Sequence, residues 1–162
     1  MDFVSHALMG RVLASSPTTS KRDLWVIILF SVMPDIPHIA NYLYLGYIKK
    51  RPLWIPHNSD WAGFRTLHPI GSALWEIPHS VIFLVLIIVP IVLILKLPKL
   101  ALVAYSLHLL VDIATHTGEW SLKLFYPFDY TIEGFTDAWA WRLPYLIISW
   151  AALAILIIIL KI

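Results

Sequence analysis

The 162-residue chain contains no cysteine. That removes disulfides, thiolate metal sites and cysteine nucleophiles together, so any bound metal must be held by His, Asp or Glu. Charge is scarce as well: 12 Lys and Arg against 10 Asp and Glu leave a net +2, and only 14% of residues are charged. Neither a solvated disordered chain nor a strongly basic nucleic-acid binder has that balance, so no nucleic-acid partner is expected. Internal repeats and low-complexity stretches are also lacking. What is present is apolar: 59% of residues, against about 45–50% in ordinary soluble domains. Length allows one domain, residues 1–162, and its composition points to lipid.

Ile77 to Leu97 holds about the 20 residues that cross a hydrocarbon core, with Pro90 as a tolerable kink. Leu100 to Thr117 returns as a second span after a basic turn, and Leu143 to Leu160, opened by Pro144, is a third. Phe3 to Ala14 and Leu24 to Met33 are shorter apolar runs, of the length of half-spanning or buried segments. Residues 49–75 and 118–142 mix Pro and Gly with Trp and Tyr, which predicts loops at the headgroup layer. The fold expected is all-α: a polytopic membrane helix bundle with short N-terminal helices, about three full spans and a metal site at one end. Arg11, Lys21, Arg22, Lys96, Lys99 and Lys161 crowd the short-turn side. Basic residues near short loops set orientation, so that side is expected in the cytoplasm and the site on the other face.

Ionisable residues inside such segments cost a few kcal/mol on insertion scales, about 2.5–3.5 for Asp, and mark function by default. His108, Asp112 and His116 stand at i, i+4 and i+8, which on one helix forms a single polar stripe. Counting about 1.5 Å of rise per residue from the basic turns brings His79, Asp112 and Asp35 to similar depth, with His6 somewhat deeper. Imidazole and carboxylate are zinc donors, and two carboxylates partly cancel a metal's charge in a low dielectric. The alternative without metal is an ion pair of Asp112 with a protonated His108 or His116.

The opening MDFVSHALMG, MPDIPH at Met33 to His38, the pair His79 and Ser80, and HLLVDIATHTGEWSLKLFYPF at His108 to Phe128 together resemble the membrane-bound metal-dependent hydrolase family, which includes YdjM-like bacterial inner-membrane proteins. Residues 73–78 lack the basic element that relatives often carry before the HS pair. The family is thought to be distantly related to zinc-dependent phospholipase C and the S1/P1 nucleases. The resemblance implies a prokaryotic inner-membrane, multi-pass protein holding one to three divalent ions, zinc first. Its ligands would be His6, Asp35, His79, His108 and Asp112, with His116 added on geometry. The implied chemistry is phospholipase C-like: zinc-activated water attack on a phosphoester of a membrane lipid or lipid-linked phosphate.

Asp112, His116 and Glu119 are the residues expected to carry catalysis. Other roles compete. Asp35 could cap the segment that follows PDIPH, His38 could be a ligand or a structural histidine, and Glu76 and Glu119 could be loop carboxylates. Asp2 should cap the first helix, and Gly10 should let a neighbouring helix approach. A non-enzymatic membrane protein is the alternative function, with the same cluster serving ion or proton translocation or a structural metal. A relay should continue to the opposite face, yet residues 84–95 and 146–160 carry no ionisable group.

Overall fold

The computed structural model describes residues 2–160. Lys161, counted above on the basic side, lies outside the described residues. Among the described residues the regular structure is helical, and the one β feature is an isolated antiparallel bridge between Leu122 and Ile132. Helix α1 is Phe3–Leu13, α2 Lys21–Val32 and α3 His38–Ile48, with a 3₁₀ turn at Met33–Asp35 between the last two. Helix α4 is Pro69–Glu76, α5 Val81–Ile94, α6 Leu100–Thr115 and α7 Leu143–Ile159.

Local chemistry explains three of the seven starts. Asp2 accepts from the Ser5 amide at 3.0 Å, Ser20 from Asp23, and Ser80 from Ile82, each satisfying a donor that a helix N-terminus leaves over. Asp35 is not a cap: α3 begins at Pro37 without a side-chain bond. A Cβ on Gly10 would lie 2.7 Å from Ser31 Cβ and 3.0 Å from Ile28 Cα, so the bare backbone there sets the close packing of α1 on α2.

Two expected spans differ from what forms. Ile77 to Leu97 is not one helix. The chain turns at residues 77–80, because Pro78 lacks a backbone donor and Ser80 opens a new helix. Within α5 a π-helical turn at Leu84–Ile88 directly precedes Pro90, whose missing N–H disrupts the regular ladder. The second helix stops at Thr115, two residues early, and His116 has extended backbone (φ −124°, ψ 128°). Amides of Gly134 and Phe135 donate to the carbonyls of His116 and Ala114, both at 2.9 Å, so the long loop closes that helix end. The expected loop at 49–75 is also more ordered than its irregular pattern suggested: it contains short helical turns and α4. Arg51 donates to both carboxylate oxygens of Asp60 (2.8 and 2.7 Å), which holds that carboxyl down at about 2 from its usual 3.8.

No single described helix is long and apolar enough to cross a membrane. Two bent pairs pass by length and composition together: α2 with its 3₁₀ turn and α3, bent 45°, and α4 with α5, bent 58°. The core seam joins Phe30, Ile88, Val92, Ala101, Tyr105 and Leu109. Helix α7 has no buried residue and is apolar on all sides. It is tied to α1 where Trp150 donates to Asp2 (3.0 Å) and Ser5 (3.1 Å).

The α1–α2 contact gives a test. Gly10→Ala is expected to lower stability by about 1–3 kcal/mol through overpacking, read as an earlier denaturant midpoint. An unchanged midpoint would show that the helices can part without cost.

Candidate metal centre

On α6 the buried residues Ala101, Ala104, Tyr105, His108, Leu109, Asp112 and Thr115 recur at helical spacing. The face that fills the core therefore carries His108 and Asp112 inward. Asp35 arrives from the 3₁₀ turn after α2, His79 from the turn between α4 and α5, and His6 from α1. Tyr105 fixes the His79 turn by donating to the Pro78 carbonyl at 2.5 Å.

Asp35, His79, His108 and Asp112 each offer a donor atom within 4.8 Å of all the others. His79 Nε2 lies 3.5 Å from Asp35 Oδ1 and 3.4 Å from Asp112 Oδ2. His108 Nε2 lies 3.2 Å from Asp112 Oδ2 and 3.8 Å from Asp35 Oδ1. His6 joins from the side, with Nε2 3.1 Å from Asp112 Oδ1 and its ring stacked on His108 at 3.7 Å. The three histidines and Asp112 are fully buried, whereas the Asp35 side chain is 15% exposed.

The ring tautomers follow from obligate acceptors. His79 Nδ1 is 2.7 Å from the Trp75 carbonyl, and His108 Nδ1 is 2.7 Å from the Ser31 carbonyl. A carbonyl only accepts, so each Nδ1 carries hydrogen and donates it. In the neutral rings both Nε2 atoms are then lone pairs. They face each other at 3.2 Å, between two carboxylates. Two lone pairs so placed repel, and a cation between them removes the repulsion. Backbone carbonyls that orient imidazoles in this way are the usual outer partners of metal-bound histidine. The donor set therefore fits a divalent ion.

His116 and Glu119 occupy different situations. His116 Nδ1 lies 3.6 Å from Asp112 Oδ1 but donates to the Asp112 carbonyl at 3.0 Å, and its Nε2 accepts from the Trp139 indole at 2.7 Å. Both ring nitrogens are engaged, because the helix that was to carry the stripe ends one residue before it. Glu119 accepts from the Gly63 amide (3.0 Å) and the Arg65 amide (3.2 Å), holding the turn at 64–67. Glu76 is likewise committed, to Arg65 at 2.5 Å and Ser72 at 3.0 Å.

A cavity of about 330 Å³ adjoins the cluster, and Asp35 is the one member that lines it. Its other walls include His38, Tyr42, Asn58, Trp139 and Trp141. Sequence reasoning did not find the roles of Trp75 and Trp139. Trp75 stacks on His79 at 3.7 Å and supplies the carbonyl that orients it. The spacing of Trp75 four residues before His79 was the available signal, since a helix end there exposes that carbonyl. For Trp139, 23 residues from its partner, no local signal exists.

Comparison of the chain with family models, curated proteins and solved structures finds no match.

The two kinds of histidine should separate experimentally. His108→Ala should reduce bound divalent metal at least about tenfold, while His116→Ala retains it, both read by elemental mass spectrometry of the purified protein. Equal loss in the two variants would put His116 among the ligands.

Proposed function

We propose that the chain is a membrane-embedded metal-dependent hydrolase, with zinc as its metal and a phosphoester of a lipid or lipid-linked molecule as its substrate. The observation that carries the reading is the pair of inward Nε2 lone pairs, His79 and His108, held 3.2 Å apart beside Asp35 and Asp112. Nitrogen and carboxylate oxygen without thiolate suit zinc among the common divalent ions. The likeness of the His6, Asp35, His79 and His108–Asp112 motifs to membrane-bound metal-dependent hydrolases supports the reaction class.

A divalent ion at the cluster supplies Lewis acidity and lowers the pKa of water. The chain's own residues do the rest. Ser31 and Trp75 carbonyls fix the two imidazoles, and Asp112, with no exposed surface, holds negative charge at the centre. Asp35 faces the cavity, where it can accept a proton from an entering water. The mostly apolar walls suit the non-polar part of an amphiphile.

Exposed apolar surface supports a bilayer setting. Leu143, Ile147, Ile148, Ile155, Ile158 and Ile159 on α7 are all at least half exposed. Val85, Leu86, Leu93 and Ile94 on α5 are exposed too. Helices α6 and α7, with 16 and 17 residues, are about 24 and 26 Å long, apolar but short of a hydrocarbon core of about 30 Å. The two bent pairs have the length and composition for crossings.

The test uses full-length protein in lipid nanodiscs. Zinc should be present in a simple ratio to protein. Phospholipids or isoprenoid phosphates should be hydrolysed, chelation should abolish turnover, and Asp112→Ala should lose both metal and turnover. Stoichiometric metal with no turnover across that panel, together with ion or proton flux that collapses in His108→Ala, would overturn the hydrolase reading.

A further inference from the structure

The cavity beside Asp35 contains a histidine that the metal reading does not use. His38 is 4% exposed, opens α3, and forms part of the cavity wall. Its ring is enclosed by aromatic neighbours: Trp75 at 5.0 Å, Trp61 at 5.1 Å, and Tyr42 and Trp120 at 5.4 Å. Its polar atoms are unequal. Nδ1 is 2.9 Å from Asn41 Nδ2, whereas Nε2 has no hydrogen-bond partner although it is buried.

Asn41 determines which nitrogen carries the proton. Its Nδ2 also donates to the Gly71 carbonyl at 2.8 Å, and a flipped amide would set two oxygens against each other there. The amide orientation is thereby fixed, and Nδ2 presents its other hydrogen to His38. Nδ1 of His38 must accept. The neutral ring then carries its hydrogen on Nε2, a donor rather than a metal-binding lone pair. A buried donor without an acceptor costs about 1–3 kcal/mol, a penalty that an incoming acceptor removes.

We propose that His38 is a substrate-binding donor: its Nε2–H, oriented by Asn41, binds an oxygen of an amphiphilic phosphoester or phosphonate in the cavity, whose polar lining also includes Asp2, Asp35 and Asn58. The proposal rests on the hydrolase reading for what enters the cavity. It assigns His38 a task distinct from that of the cluster histidines, whose Nδ1–H groups face carbonyls and whose Nε2 atoms face inward. The difference between the two classes is visible in the partner at Nδ1. A carbonyl at that position leaves Nε2 a lone pair, and an amide N–H there makes it a donor.

The experiment compares wild type, His38→Phe and His38→Gln in nanodiscs, with hexadecylphosphonate as the probe. Binding is read by tryptophan fluorescence, since Trp139 and Trp141 line the cavity, and metal content is measured on the same samples. His38→Phe keeps the ring volume without the donor and should bind about tenfold more weakly or worse, the fold-change of one hydrogen bond to a charged group. His38→Gln offers an amide N–H near the same place and should stay within about threefold of wild type, and all three should hold equal metal. Nitrogen-15 spectra of the wild type should show His38 as the Nε2–H tautomer, with that proton shifting on addition of probe; this holds even where a variant fails to fold. Equal affinity in all three proteins, no binding to the wild type, metal loss in His38→Phe, or an Nδ1–H tautomer would each overturn the proposal. Absence of metal from the wild type would sink the hydrolase reading instead, and the tautomer and the binding ratio would still report on His38.

Discussion

Three helices end at the cluster, and each end gives a backbone carbonyl to an imidazole. Ser31 lies in the last turn of α2, Trp75 in the last turn of α4, and Asp112 at the start of the last turn of α6. These are carbonyls of the kind that a helix leaves without intrahelical donors. His108, His79 and His116 donate to them through Nδ1. His79 and His116 do so four residues downstream, where a continuing helix would have supplied a backbone N–H. One set of hydrogen bonds thus terminates the helices and orients the rings. Each helix C-terminus also carries about half a negative charge, so three such ends and two carboxylates create a field that favours a cation.

That arrangement explains why the site sits at breaks rather than along continuous helices. A ring at mid-helix finds every carbonyl of its own helix beside it already bonded, so His108 is oriented by the Ser31 carbonyl at the end of α2. At a break the carbonyls are free, but buried in apolar surroundings they must be satisfied by something. Histidine satisfies them and still has a second nitrogen for chemistry. The turn at residues 77–80 and the early end of α6 serve this geometry. The aromatic loops complete the enclosure: Trp139 donates to His116 at 2.7 Å, Trp75 stacks on His79, and Glu119 binds the amides that start the turn at 64–67.

Much of this was legible in the sequence wherever the determining interaction is local. The i, i+4 placement of His108 and Asp112, the Asp2 cap and the bare backbone of Gly10 all depend on residues within a turn or on one facing helix. The all-helical character followed from the long apolar runs, and the convergence of Asp35, His79 and Asp112 followed from counting rise along antiparallel segments. Distant partners were not legible. Thr115 ends α6 because Gly134 and Phe135 reach its carbonyl end, so His116 leaves the helical stripe for a reason encoded some 20 residues away. Gly134 packs against that end so closely that a Cβ would lie 2.6 Å from the carbonyls of Ile113 and His116. Likewise Glu119 looked free in the sequence, and its acceptors' partners, Gly63 and Arg65, come from a loop more than 50 residues earlier.

The same logic separates the histidines by function. Imidazole has two nitrogens and, when neutral, one proton, so the group that meets one nitrogen dictates what the other can do. A carbonyl at Nδ1 leaves His79 and His108 with inward lone pairs, and an indole N–H at Nε2 closes His116. At His38 the side-chain amide of Asn41 has the opposite effect to a carbonyl. Residues of one type thus become inward lone pairs, a closed structural ring and a donor through what lies behind each one. The chemistry of the centre is written in the backbone breaks and amides around the rings more than in the rings themselves.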